Sequence, residues 1–195
     1  MPGATIDRYR TMIRQPVYGL WSGKLNMSGF IEIITDALWT GLKGAWEAGA
    51  KAAGIAPDEM TDREISQMQT DIFNQFQYVP GFGQYIQSVS RAAGGTLEST
   101  LPRMNMWVAR YNEFYNKSKV LAAGDKKYRW TLGPVKTEHC PSCLKLSNRV
   151  KRASQWVAAD LYPMHRDLTC GGWECKCTFE PTNEPMSKGR LPKIP

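Results

Sequence analysis

The sequence predicts a mainly α protein: a helical N-terminal body, then a small α+β module stapled through its cysteines, then an extended C-terminal tail. Three observations predict it. Apolar residues recur at three-, four- and seven-residue spacing through 28–53 and 102–123, the period of one helical face. All five cysteines fall between positions 140 and 177. The stretch after Cys177 carries four prolines and several charges with no period of either kind.

Residues 1–27 show little periodicity. Pro16, Gly19 and Gly23 interrupt them, and Tyr18, Leu20 and Trp21 serve as anchors, so an ordered arm outside the core is expected. Ser28 is placed to cap a helix running to about Ala53, with Phe30, Ile33, Ile34, Ala37, Leu38, Leu42, Trp46 and Ala50 on its apolar face. Gly41, Gly44 and Gly49 either weaken that helix or let another approach closely. After a break at 54–58, Thr61-Asp-Arg-Glu64 reads as a capping box. It opens a second helix whose stripe is Ile65, Met68, Ile72, Phe73 and Phe76, with Pro80-Gly81 as its stop. A weaker third helix is expected over 84–93, ended by Gly94-Gly95. The clearest late helix covers 102–123 with Met106, Val108, Tyr111, Phe114, Tyr115, Val120 and Leu121, and Gly124 stops it. Beyond it, Tyr128, Trp130 and Leu132 alternate as in a strand. The organisation expected is an N-terminal arm at 1–27, a helical domain at 28–124, a Cys-rich module at 125–180 and a tail at 181–195.

The 195 residues carry a net charge of +7. Residues 1–100 hold 8 Lys/Arg against 10 Asp/Glu, and residues 101–195 hold 17 against 8, so the basic character lies in the cysteine-bearing half. Arg129, Lys136, Lys145, Arg149, Lys151, Arg152, Arg166 and Lys176 could track a phosphate backbone, or form a solvated basic face. Trp130, Trp156 and Trp173 could stack on bases, or cover the core of a small module. No run approaches the ~18 apolar residues of a membrane span. The first residues lack a secretory pattern, so a reducing compartment is expected. There, clustered thiols favour a metal over disulfides.

Cys140-Pro-Ser-Cys143 is a turn that aims two sulfurs at one spot, and Cys170-Gly-Gly-Trp-Glu-Cys175-Lys-Cys177 brings three more. Zinc takes four such ligands tetrahedrally at about 2.3 Å. One structural Zn2+ per chain is therefore expected in a zinc-stapled α+β/β-hairpin module, held by four of Cys140, Cys143, Cys170, Cys175 and Cys177. If 168–170 and 175–177 pair as a hairpin, Cys170 and Cys175 are the preferred second pair, with Cys177 as substitute. His165 could reach the ion, whereas His139 is aimed away. Four or five sulfurs imply a closed site. With two histidines in the chain and no HExxH, H-x-E, phosphate-binding loop or Gly-x-Ser-x-Gly, no catalytic residue is assigned and no enzyme is expected. Glu138, Asp160, Asp167 and Glu174 lie near the cysteines in sequence only.

The run Tyr128-Arg-Trp130-Thr-Leu-Gly-Pro, then Thr137-Glu-His-Cys-Pro-Ser-Cys-Leu-Lys-Leu, then Trp156, Pro163 and Leu168-Thr-Cys-Gly-Gly-Trp-Glu-Cys-Lys-Cys, resembles the C-terminal region of phage minor head proteins. This is the Mu F-like head morphogenesis family of tailed bacteriophages and prophages. The resemblance covers about 125–180. The common family pattern ends in His-Pro-x-Cys-Arg-Cys; here Cys170 stands where the histidine would be, followed by two glycines and an insertion, which leaves the ligand set open.

The resemblance implies a structural virion protein made in the host cytoplasm and placed at the portal vertex or capsid interior in multiple copies. It implies portal or major capsid protein as partner, and no membrane. Packaged double-stranded DNA is a further candidate partner for the basic half. The alternative reading is a stand-alone zinc-module protein that binds nucleic acid.

Overall fold

A computed structural model describes residues 2–134, 138–172 and 175–194. The chain is mainly helical, 59% helix and 7% strand, with one small sheet toward the C-terminus. Seven α-helices are described: α1 (Pro2–Trp21), α2 (Met27–Ala53), α3 (Asp62–Phe76), α4 (Val79–Ser88), α5 (Leu101–Leu121), α6 (Pro141–Leu146) and α7 (Ala153–Ala158). Three strands are β1 (Lys127–Thr131), β2 (Val150–Arg152) and β3 (Thr178–Pro181). No helix among the described residues is long and apolar enough to cross a membrane.

The local signals act largely as their chemistry requires. Glu64 accepts from the Thr61 backbone N–H at 2.8 Å, and the Thr61 hydroxyl accepts from the Glu64 N–H at 3.3 Å, the reciprocal pair of a capping box. At the start of α2 the cap is Asn26, not Ser28: its Oδ1 accepts from the Gly29 N–H at 2.8 Å. Pro80 does not stop α3, which ends at Phe76. It lies in the first turn of α4, where a missing N–H costs nothing. That moves α4 to 79–88 from the expected 84–93.

Two compact units are present. One comprises Met1–Ala45 with Ile65–Tyr111, the other Trp46–Glu64 with Asn112–Pro195. In the first, residues 2–21 form helix α1, where an arm outside the core was expected. Tyr9, Ile13, Val17 and Leu20 are all buried, at spacings of four, four and three, and so make one apolar face. The Tyr9 hydroxyl donates to the Trp107 carbonyl at 3.2 Å, and burial pushes its pKa well up. Phe82 joins Phe30 edge-on at 6.1 Å and stacks on Trp107 at 5.9 Å. The α3 stripe is half right: Met68 and Ile72 are buried, but Phe73 is 56% exposed, resting on Trp39 and Phe76. In α5 the expected Met106 is exposed, and Met104 and Trp107 are buried instead.

In the second unit the sheet order is β2-β1-β3, all antiparallel, with Tyr128 opposite Lys151 and Trp130 opposite Phe179. Tyr128, Trp130, Leu146, Trp156, Phe179, Cys143, Cys175 and Cys177 share one core with Ala53, Val120 and Ala123. The end of α2 and the end of α5 meet here at close range. Ser118 donates to the Trp46 carbonyl at 2.6 Å, and a Cβ on Gly49 would lie 2.2 Å from the Tyr115 carbonyl oxygen. Gly49 therefore serves close approach. Gly49→Ala is expected to lower unfolding free energy by about 1–3 kcal/mol, the usual cost of overpacking, in a denaturant titration.

The hairpin expected from 168–170 and 175–177 does not form: 168–172 are turns, and the strand that follows Cys177 pairs with β1. The tail is extended and tied down. The Ser187 N–H donates to the Val150 carbonyl at 3.0 Å, the Val150 N–H donates to the Ser187 hydroxyl at 3.0 Å, and Lys151 Nζ reaches the Ser187 and Gly189 carbonyls at 2.7 and 2.6 Å. These bonds run along the free edge of β2, an edge that would otherwise present unpaired backbone.

Candidate metal centre

Cys140 is the N-cap of α6. Its sulfur accepts from the Cys143 N–H at 3.4 Å, and Pro141 fixes the first helical position. This turns both sulfurs to the same side. A second tie joins α6 to the loop that carries Cys170: the Ser142 and Thr169 hydroxyls are 2.6 Å apart, and the Thr169 N–H donates to Ser142 at 3.0 Å. That loop is held from behind by α5. Asn116 donates to the Pro163 carbonyl at 3.2 Å, and Arg166 Nε pairs with the buried Glu113 carboxylate at 3.2 Å. Gly172 turns the chain at φ +77°, and a Cβ there would lie 2.2 Å from the Met164 carbonyl oxygen, so glycine is required. Cys175 and Cys177 approach from the far side, just before β3.

The five sulfurs fall into two triads that share one member. Cys140, Cys143 and Cys170 lie within 4.8 Å of one another, as do Cys143, Cys175 and Cys177. The Cys143 and Cys175 sulfurs lie 3.5 Å apart, and no disulfide joins any of the five. Cys143, Cys175 and Cys177 are buried; Cys140 and Cys170 are half-buried.

The sulfurs shift one another's titration in opposite directions. Cys143 sits among Cys170, Cys175 and Cys177, and its pKa is driven up by the protons it shares with them. Cys170 is pulled down to about 2, first by Cys143 and Cys175 and further by the Gly172 N–H. Cys177 is pulled down to about 3 by Cys143 and Cys175, helped by the Gly133 N–H. The Trp130 indole N–H, which meets no oxygen or nitrogen acceptor, also favours the Cys177 thiolate. Cys175 is lowered by Cys143 but raised by Cys170 and Cys177, with a net rise. The Cys177 N–H donates to the Cys175 sulfur at 3.4 Å. Backbone donors thus face the sulfurs of Cys140, Cys170, Cys175 and Cys177, which suits thiolates bound to a cation. An all-sulfur set, three of its members buried and four with amide support, fits a soft metal ion.

His165 is not brought to the cluster. Its Nδ1 accepts from the Asp167 N–H at 3.1 Å, and its Nε2 lies 3.6 Å from Asp160. The imidazole is thereby committed to bracing the 160–167 loop, and Asp160 is held down to about 2, chiefly by that histidine. His139 is half-buried and belongs to neither triad. Lys136, Thr137, Trp173 and Glu174 lie outside the described residues. The Ser142–Thr169 tie, the Gly133 and Gly172 amides and the Glu113–Arg166 pair carry no sequence signal, because each joins common residues far apart in the chain.

No family model, curated protein or solved structure matches this chain.

Proposed function

We propose that the chain is a structural minor head protein of a tailed bacteriophage, built on one Zn2+ per chain and acting at the portal or capsid during head morphogenesis. One observation carries this reading: the residues that bear the resemblance are the residues that build the module. Tyr128, Trp130, Trp156 and Leu168 are core residues around the cysteines, Pro163 is buried behind them, and all five cysteines converge. Spacing that serves one folded unit is a stronger basis for resemblance than scattered identities.

The stand-alone nucleic-acid reading draws less support. Trp130 and Trp156 are fully buried and offer no face to a base. Four of the basic side chains considered for phosphate are engaged within the unit. Arg129 pairs with Glu180 and Glu184, Arg152 with Asp125, Arg166 with Glu113, and Lys151 holds the tail. Lys145 and Lys176 remain exposed.

Co-expression with the portal and major capsid proteins of the same genome tests the proposal. The chain is expected to co-elute with a portal ring or capsid shell, and to bind duplex DNA weakly by itself at 150 mM salt. Tight, steeply salt-dependent DNA binding with no co-elution would favour the nucleic-acid reading instead.

A further inference from the structure

A tetrahedral zinc site uses four sulfurs, spaced about 3.8 Å apart if each bond is about 2.3 Å. This chain brings five, and their arrangement is not a square of four with one stray. Two triads hinge on Cys143: Cys140 and Cys170 on one side, Cys175 and Cys177 on the other. A four-sulfur set can be drawn from either triad plus one sulfur of the other. Each of the four outer sulfurs has a backbone N–H facing it. Burial divides the outer sulfurs by triad, Cys175 and Cys177 being buried and Cys140 and Cys170 half-buried, and so singles out no one of the four as surplus.

Resting on the metal reading above, we propose that Cys143 is the one obligatory ligand and that the fifth cysteine is a reserve ligand, able to replace any outer sulfur that is lost. Removing one outer sulfur leaves an intact triad and a fourth sulfur across Cys143. Removing Cys143 leaves no three of the sulfurs within 4.8 Å of one another: Cys140 with Cys170 and Cys175 with Cys177 remain, joined only where Cys170 meets Cys175. The surplus sulfur gives the ion a route between neighbouring ligand sets without leaving the protein. That is the behaviour of a site tolerant of damage to one thiol by an alkylating or oxidising agent.

The test is metal content, reactive thiols and the visible spectrum of the Co2+-substituted full chain. It is run on Cys140→Ala, Cys170→Ala, Cys175→Ala, Cys177→Ala, Cys143→Ala and the double variant Cys175→Ala/Cys177→Ala. Wild type is expected to hold about one Zn2+ with about one reactive thiol. Each outer single variant is expected to keep the same metal content, lose the reactive thiol and retain a four-coordinate Co2+ spectrum. Cys143→Ala and the double variant are expected to lose the metal.

An outer single variant that purifies as soluble protein with its far-UV helical signal kept, but without its metal, would overturn the reserve ligand. So would a Cys143→Ala protein that keeps one Zn2+. Failure of the metal reading looks different, because wild type itself would then hold no metal and show all its thiols reactive.

Discussion

With Zn2+ held by the cysteines as proposed, its removal by a strong chelator is expected to abolish the tertiary structure of the cysteine-bearing unit while most of the helical signal persists. The sheet alone cannot hold this unit. Its strands are five, three and four residues long, too short to be stable by themselves. Its core places Cys143, Cys175 and Cys177 among Trp130, Trp156 and Phe179. With no cation, that core encloses sulfurs that must either carry protons or repel one another as buried thiolates. Structural zinc contributes roughly 10–16 kcal/mol in small modules at neutral pH. A whole domain is stable by about 5–15 kcal/mol, so a loss of that size is comparable with the entire margin. The near-UV circular dichroism of the buried tryptophans reports the change, and adding Zn2+ back should restore it. An unchanged near-UV spectrum on protein shown to be free of metal would rule out a structural ion.

Trp156→Ala is expected to cost about 3–5 kcal/mol, the range for deleting a large buried aromatic side chain. Trp156 is fully buried, with ring centroids 5.0 Å from Phe179 and 5.8 Å from Trp130, and its indole N–H donates to the Tyr128 carbonyl at 3.3 Å. The truncation leaves a cavity at the centre of the core and removes the indole hydrogen bond to β1. Trp156→Phe should recover part of the loss, since it refills some volume but not the hydrogen bond. Urea titrations of both variants, with Zn2+ held in excess, give the comparison. A cost below about 1 kcal/mol for the alanine variant would show that the three rings are not the support of this unit.

The parts legible in the sequence were those written within a few neighbouring residues. The extent of α2, the capping box at Thr61 and Glu64, the strand at Tyr128 and Trp130, and the joining of five cysteines all follow from spacing. The stripe of α1 was also present at 9, 13, 17 and 20, but Pro16, Gly19 and the intervening arginines masked it. Pro80 was misread because a proline suits the first turn of a helix as well as the end of another. The partner of β3 was out of reach, since strand pairing joins residues some 50 positions apart, and spacing carries no information on it. His165 fell out of the ligand set for a related reason: what claims its ring nitrogens is a loop geometry, not a motif.

The tail clasp also sets an order of events during synthesis. The cysteine-bearing unit takes its first piece from residues 46–64 and the rest from 112 onward. Lys151 finds its two carbonyls only after Ser187 and Gly189 have been made. At about 5–20 residues per second, the stretch from Trp46 to Gly189 takes roughly 7–30 s to appear. The end of α2 gains its α5 neighbours at 115–119 early in that interval, whereas the sulfurs emerge later and in two instalments. Closure of this unit is therefore a late step in the life of the nascent chain, paced by translation of its last residues.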